Sequence, residues 1–322
     1  MTAKNTPEIL VLTAPDEGAL PGLEGLDGEA TVTYARDEKS LEAGLKRAEV
    51  LVVTDFRTEL LRKVWPQQHR IQWLHATSAG VDALMFPELL ASDIRVTNAR
   101  GVFNRGIAEY VLGAILMFAK DTIGNLRYQR QHQWEHRETR LVRGSVALIV
   151  GAGSIGREVA SLLRCLEMRV LGTDLVARQD EYFEEVRAND ELDNLLPAAD
   201  YVIINAPLTK QTQGLFNRST FARMKPTAHL INVGRGPVVR TEDLIEALRE
   251  KTIAGAALDV FETEPLPEDN PLWEMPQVMI SAHMAGDFVG WRRALGEQFV
   301  ANFRCWQAGQ ELFNLVDKRK VI

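Results

Sequence analysis

The run Val146-Ala147-Leu148-Ile149-Val150 is apolar, of strand length, and stops at a glycine. Glycines follow at 151, 153 and 156, and a helical pattern starts at once in Arg157-Glu158-Val159-Ala160-Ser161-Leu162-Leu163. A chain carrying this stretch has to lay down a strand, a tight turn and a helix in succession. Each glycine has its own reason. Gly151 turns the backbone off the strand, Gly153 has no side chain to keep a pyrophosphate away, and Gly156 lets the helix pack closely on the strand. The N–H groups of the first helical turn, at Ser154, Ile155 and Gly156, then face the phosphates with the helix dipole behind them. Taken alone, the spacing also suits a glycine turn in an ordinary βαβ unit. A second strand, Met168 to Thr173, ends in Asp174, eighteen residues past Gly156. That is near the spacing of about 20 at which an acid takes a ribose 2′-hydroxyl, and together the two features indicate dinucleotide binding.

At 322 residues the chain is long enough for two domains, since single cores stop growing by about 250–300 residues. Its 46% hydrophobic and 25% charged residues are those of a globular protein. A net charge of −7 leaves no basic excess for a phosphate backbone, so no nucleic-acid partner is expected. Cys165 and Cys305 stand far apart with no C-x-x-C spacing. Neither a disulfide framework nor a thiolate metal site is expected, and the cytoplasm is the expected compartment. His132 and His136 lie four apart beside Trp134, but no other ligand type is grouped with them, so they read as a solvated face and no metal is expected. The longest apolar stretch, Ile107 to Ala119, is too short to span a bilayer and contains Glu109, and the polar N-terminus leads into a short strand rather than a signal segment. No membrane association is expected.

Read in order, the chain alternates strands and helices. Strands are expected at Glu8–Leu12, Ala30–Tyr34, Val50–Val53, Ile71–His75 and Ile94–Asn98, with helices at Ser40–Ala48 and Thr58–Val64 and a glycine turn into a helix over Ala76–Asp82. This alternation predicts a parallel sheet covered on both faces. A long apolar helix runs from about Asn104 to Lys120 and must be buried, partly against a second subunit or within its own chain. Asp121 to Leu141 reads as an arm or a surface helix. Beyond the glycine turn, strands are expected at Asp200–Asn205, His229–Val233, Gly255–Val260 and Gln277–Ser281, a helix capped by Thr241, and a last helix over Val289–Ala308 that carries the chain back to the first domain.

In open α/β sheets ligands bind beyond the carboxyl ends of the strands, which here carry Ala206, Arg235, Asp259, Glu264 and His283. A nicotinamide enzyme acting on a carbonyl must hold its substrate, move a proton and tune the group that moves it. Arg235 has the planar fork that pairs with a carboxylate. His283 is the natural acid/base near neutral pH, and Glu264, paired with it, would favour the imidazolium and keep a proton ready for reduction. Taken singly, Arg235 could answer a neighbouring acid, Glu264 could be a loop charge and His283 a core histidine; their order and positions together point to a site.

At these residues the sequence resembles the D-isomer-specific 2-hydroxyacid dehydrogenases over nearly its whole length. The matching pieces are Ser78-Ala79-Gly80-Val81-Asp82, Ala108-Glu109-Tyr110, the glycine turn, Ala206-Pro207-Leu208-Thr209-Lys210-Gln211-Thr212, Met224-Lys225-Pro226, Ile231-Asn232-Val233-Gly234-Arg235-Gly236, Leu258 to Pro267 and Ser281 to Gly286. The resemblance implies an α/β fold of two Rossmann-like domains with parallel sheets. A flavodoxin-like substrate domain would comprise 1–100 and 291–322, an NAD-binding domain 101–290, and a cleft would lie between them. It implies Arg235, Glu264 and His283 as catalytic residues. Substrate would be held by Arg235, His283 and the backbone N–H groups of Ala79 and Gly80. The cofactor would meet Gly151, Gly153, Ser154, Ile155, Gly156, Asp174, Ala206, Pro207, Thr212, Val233, Asp259 and Ala285, with Asp259 at the nicotinamide amide. A homodimer through the NAD-binding domain is implied as well. Three positions depart from the family pattern: Ala282 stands where proline is usual, Glu167 where glycine is common, and Arg240 where an acid or Asn is usual. NADP-preferring members carry arginine where this chain has Thr173-Asp174; an acid there repels a 2′-phosphate, so NAD is expected over NADP, with Arg178 close by.

The implied activity is reversible hydride transfer between NAD(H) and a small D-2-hydroxy or 2-oxo acid, in the direction of reduction, with glyoxylate or hydroxypyruvate as substrates. The alternative is an NAD(H)-sensing, corepressor-like scaffold without significant turnover, although no long disordered tail or peptide-recognition addition accompanies the two domains. A third relative, formate dehydrogenase, lacks the glutamate of the acid/base pair, so Glu264 argues against it. The side chains that grip the substrate's R group would lie near Thr77, Arg100–Asn104 and Trp291, which either roofs the pocket or packs.

Overall fold

A computed structural model describes residues 6–54 and 58–320. The polar N-terminal stretch read from the sequence lies, through residue 5, outside them. Contacts divide the chain into two compact units, Met1–Phe103 with Phe288–Ile322, and Asn104–Asp287.

The first unit is built on five parallel strands: β1 (Glu8–Leu12), β2 (Thr31–Ala35), β3 (Val50–Val53), β4 (Trp73–Ala76) and β5 (Arg95–Asn98), in the order β2-β1-β3-β4-β5. This is the flavodoxin-like order. β3 and β4 are buried at every residue, as strands between two helical layers should be, with His75 the one polar side chain among them. Short helices α1 (Glu38–Leu45), α2 (Thr58–Lys63) and α3 (Pro87–Leu90) lie among the connections. One face packs Leu10, Leu12, Leu51, Val53 and Leu74 against Leu41, Leu45 and Leu61.

The second unit opens with α4 (Asn104–Ala119) and α5 (Thr122–Arg130) and contains seven parallel strands. They are β6 (Val146–Val150), β7 (Arg169–Asp174), β8 (Glu185–Ala188), β9 (Tyr201–Ile204), β10 (His229–Asn232), β11 (Gly255–Leu258) and β12 (Val278–Ile280). Helices α6 (Ser154–Cys165), α7 (Leu192–Leu195), α8 (Arg218–Phe221) and α9 (Thr241–Arg249) connect them. The order β12-β11-β10-β9-β6-β7-β8 reverses direction at β6, so the carboxyl end of β6 is a topological switch point, where ligands of open sheets sit. α4 buries Ile107, Ala108, Val111, Ala114, Ile115 and Ala119, while Leu116 stays 36% exposed.

Most elements lie within a residue or two of their sequence-based bounds, with three informative differences. β8 was not expected: Glu-Val-Arg-Ala buries only Val186, so it has no apolar signature. Thr241 does not cap α9; Arg240 is the N-cap residue, and the Thr241 N–H donates to the Glu262 carboxylate at 2.6 Å, an acceptor twenty-one residues away. The expected helix after Ala76–Asp82 is one 3-10 turn, Asp82–Leu84. The stretch expected as an arm or a surface helix is one and then the other, α5 followed by residues 131–141 without helix, which Arg137 fastens to Asp121 and Asn125. Glu167 has φ 58, a left-handed conformation in which glycine is unstrained, which is the physical reason for glycine at such a position.

The last helix, α10 (Trp291–Gln307), completes the first unit: Leu295, Phe299 and Phe303 cover the face formed by Ile9, Val11, Val50, Val52 and Trp73. Gly296 lets α10 lie directly on the loop after β1, because a Cβ there would fall on the Pro21 carbonyl oxygen. Gly296→Ala should therefore cost about 1–3 kcal/mol through overpacking. Thermal or denaturant unfolding will read this as a lowered midpoint; an unchanged midpoint would show that α10 is not tightly seated.

Candidate active site

Gly151 leaves β6 at φ 99, and a Cβ on it would stand 2.7 Å from the Ala206 nitrogen, so the end of β9 presses on the turn. A Cβ on Gly156 would strike the Gly151 carbonyl, which is how α6 comes to lie against its own strand. Gly153 is different: nothing lies within 4 Å of the position its Cβ would take, and it is the N-cap of α6 with no side chain capping the helix. The turn thus presents an uncapped helix N-terminus beside open space, which suits a pyrophosphate. The two strands flanking β6 end in buried polar atoms without partners, the Thr173 hydroxyl and both side-chain polar atoms of Asn205. Unpaired buried groups are costly and call for a ligand or water. Thr212 is buried and donates to the Pro207 carbonyl at 2.6 Å, holding the loop that follows Ala206. Val233 and Ala285 are buried on the neighbouring strand ends. These residues fit a dinucleotide. Asp174, at the end of β7, accepts from the Leu175 N–H at 2.8 Å and from Arg178 at 2.7 Å.

Arg235 stands on a turn shaped by Asn232, whose amide donates to the Arg235 carbonyl at 3.2 Å and accepts from the Gly234 N–H at 3.1 Å. Nothing in the local sequence marks Asn232 for this part. A Cβ on Gly236 would coincide with the Phe261 carbonyl group, so this turn lies directly on the loop after β11. In that loop the Phe261 N–H donates to Glu264 Oε1 at 2.9 Å, while Glu264 Oε2 is 2.8 Å from His283 Nδ1. Both partners are about one-third exposed, so the pair is neither sealed nor fully solvated. Burial pushes the Glu264 carboxyl up, but the His283 hydrogen bond, the Phe261 N–H and the charges of His283 and Arg235 outweigh it and hold it below the ordinary carboxylate value. The structure therefore brings Arg235, Glu264 and His283 into one neighbourhood at the carboxyl edge of the sheet.

Asp259 anchors that neighbourhood. It is 2% exposed. Its Oδ1 accepts from the Ser281 hydroxyl at 2.6 Å and the Met284 N–H at 2.9 Å, and its Oδ2 from the Ala285 N–H at 2.9 Å. His283 lies inside this clamp at φ 51, with its own N–H on the Asp259 carbonyl at 2.8 Å. Ala282, at the position where proline was expected, thus sits in a loop tied on either side. Ser281 is also 2.6 Å from the Tyr110 hydroxyl. Both residues lie in stretches that resemble the family, but their contact spans 171 residues, beyond the reach of a local pattern.

In the first unit, the loop after β4 has its carbonyls engaged. Ser78 O accepts from the Ala99 N–H, Ala79 O from the Asn98 amide, and Gly80 O from the Ser78 hydroxyl. The N–H groups of Ala79 and Gly80 have no partner among the described residues. Thr77 is buried, and the Arg100 carbonyl accepts from Gln298 and Asn314. The Trp291 ring lies 6.1 Å from that of Phe103. His132 and His136 are exposed, and no group of three or more His, Cys, Asp or Glu among the described residues could hold a metal ion.

A family model for the NAD binding domain of D-isomer specific 2-hydroxyacid dehydrogenases matches residues 112–285. A glyoxylate reductase of Thermofilum pendens is 37% identical over 250 residues, covering 75% of this chain and 73% of that protein. Among solved structures, a D-isomer specific 2-hydroxyacid dehydrogenase family protein from Aeromonas salmonicida superposes with a TM-score of 0.84 at 30% identity, covering 97% of this chain and 99% of the other. An NADPH-dependent glyoxylate/hydroxypyruvate reductase from Sinorhizobium meliloti, solved with NADP and sulfate, gives 0.85 at 25% identity over 98% and 100% of the two chains.

The Asp259 clamp has a direct test. Asp259→Asn would turn an NH2 group toward the Ala285 N–H, two donors face to face. Hydrogen exchange at Ala285 should accelerate and stability fall by about 1–3 kcal/mol. Unchanged exchange at Ala285 would mean that the carboxylate does not hold the loop.

Proposed function

Because the chain belongs to the D-isomer-specific 2-hydroxyacid dehydrogenase family, we propose that it is an NAD-dependent reductase of small 2-oxo acids such as glyoxylate or hydroxypyruvate. The observation that carries this reading is the 2.8 Å contact between His283 Nδ1 and Glu264 Oε2, on a loop against which the Arg235 turn is packed. A histidine oriented by a carboxylate, next to a guanidinium, is the equipment for delivering a proton to a carbonyl oxygen while a neighbouring carboxylate is held in place.

A bound nicotinamide dinucleotide supplies the hydride. The residues of the chain do the rest. Arg235 pairs with the substrate carboxylate through its fork and draws electron density from the carbonyl. The N–H groups of Ala79 and Gly80 are assigned to the same carboxylate. His283, as imidazolium, gives its proton to the carbonyl oxygen as it becomes an alcohol, and Glu264 stabilises the charge before transfer and fixes which ring nitrogen faces the substrate. The N–H groups of Ser154, Ile155 and Gly156, with the open face of Gly153, are assigned to the pyrophosphate, and Asp174 to the adenosine ribose. Ala206, Pro207, Thr212, Val233 and Ala285 are assigned to the cofactor's walls, and Asp259 to the nicotinamide amide as well as to the clamp. NAD is preferred over NADP on the carboxylate at Asp174. Cofactor binding is thereby assigned to the second unit, and the substrate to Arg235 and His283 of the second unit and to Ala79 and Gly80 of the first.

We further assign a homodimer through the second unit. Leu126, Trp134 and Leu141 are 48%, 100% and 76% exposed on α5 and the segment after it, apolar surface that a second copy would cover. No helix among the described residues is long and apolar enough to cross a membrane. Two free cysteines suit a reducing cytoplasm.

Loss of reduced-nicotinamide absorbance with a panel of 2-oxo acids tests the reading. Turnover with NADH should fall by about 10²–10⁴-fold in His283→Ala. Tight NADH binding without turnover of any 2-oxo acid would overturn the enzyme reading and favour a sensor.

A further inference from the structure

The loop that follows β7 holds an arrangement that the cofactor assignment does not use. Resting on the dinucleotide reading above, we propose that Arg178 is the residue that receives a ribose 2′-phosphate. Asp174 is its resting counter-ion, so the pair, rather than Asp174 alone, sets the balance between NADH and NADPH.

Both oxygens of Asp174 are already engaged, Oδ1 by the Leu175 N–H at 2.8 Å and Oδ2 by Arg178 Nη1 at 2.7 Å. The other terminal nitrogen of Arg178 donates to the carbonyl of Ala152, inside the glycine turn itself. The guanidinium therefore spans from the acid at the end of β7 to the phosphate-facing turn after β6. Its position is built rather than incidental. The Arg178 N–H donates to the Val186 carbonyl at 3.0 Å, which pins its backbone to β8. Its Nε lies 3.8 Å from Asp180, a carboxylate only 1% exposed that is held in turn by Arg157 of α6. The Arg178 side chain remains 36% exposed, so a ligand can reach it.

This geometry changes the meaning of the acid. An unpaired carboxylate at this place repels a 2′-phosphate and accepts from a 2′-hydroxyl. With Arg178 across it, much of that charge is neutralised, and a 2′-phosphate meets a planar fork whose two nitrogens already point at oxygen acceptors. The guanidinium needs only to exchange one anionic partner for another. A ribose diol meets the opposite situation, since it must displace Arg178 from Oδ2 or share that oxygen with it. Arg178 thus favours NADPH and disfavours NADH, and Asp174 does the reverse. A residue with only a structural role would move both affinities in the same direction.

Fluorescence titration of the intact protein with NADH and with NADPH, without substrate, tests this. In Arg178→Gln, NADPH binding should weaken about tenfold, the worth of one charge-assisted hydrogen bond, while NADH binding tightens. In Asp174→Asn, the directions should invert. If Arg178→Gln weakens both cofactors alike, or neither, the proposal is wrong while the dinucleotide reading stands. If the unaltered protein binds neither cofactor, that reading fails and carries the proposal with it.

Discussion

Asp259 carries a carboxylate in a place that water scarcely reaches. A charge at that depth is tolerated only where donors surround it. Here the donors are Ser281, Met284 and Ala285, so satisfying the acid and shaping the loop that bears His283 are one event. Because the Ser281 hydroxyl hydrogen is committed to Asp259, the Tyr110 hydroxyl has to donate to Ser281. Burial, and after it the Asp259 charge, raises the Tyr110 pKa, so the phenol keeps the proton that this chain of bonds requires. A side chain from α4 is thereby joined to the loop after β12, and the left-handed backbone at His283 is held by its neighbours rather than by any preference of its own.

The two halves of the proposed site are made of different material. The end assigned to the cofactor is mostly backbone: a glycine turn, an uncapped helix and the ends of β6, β7 and β9. The end assigned to the chemistry is side chains from the loops after β10, β11 and β12. A parallel sheet makes this division natural, since every strand delivers its carboxyl end to the same edge. Burial also separates the histidines. It lowers His75 to about 3 and, with help from the Arg140 charge, His229 to about 4, so both remain neutral in their cores. His283 is about one-third exposed and sits beside a carboxylate held below its ordinary range.

How much of this could be read from the sequence follows the range of each signal. The glycine turn, the strand runs and the residues at strand ends are local patterns, and they were legible as such. Asn232 was quoted within a motif, but its part in presenting Arg235 depends on a turn that appears only when the chain folds. β8 has one buried residue and could not announce itself. The Tyr110–Ser281–Asp259 chain, the Glu262 carboxylate at the start of α9 and the Arg157–Asp180–Arg178 cluster each depend on which polar groups meet across tens of residues or more. Periodicity and spacing do not encode those meetings.

Whether Glu264 and His283 act as one proton-donating unit is tested most directly by the pH dependence of 2-oxo acid reduction. The lowered carboxyl of Glu264 keeps its charge below the ordinary carboxylate range, so the pair survives moderate acid and is lost only as pH falls through that lowered value. Reduction needs a protonated donor and must decline as pH rises. In Glu264→Gln a neutral amide no longer favours the imidazolium, so the alkaline decline should begin at lower pH than in the unaltered protein. Profiles of kcat/KM that superimpose on the alkaline side would contradict the account.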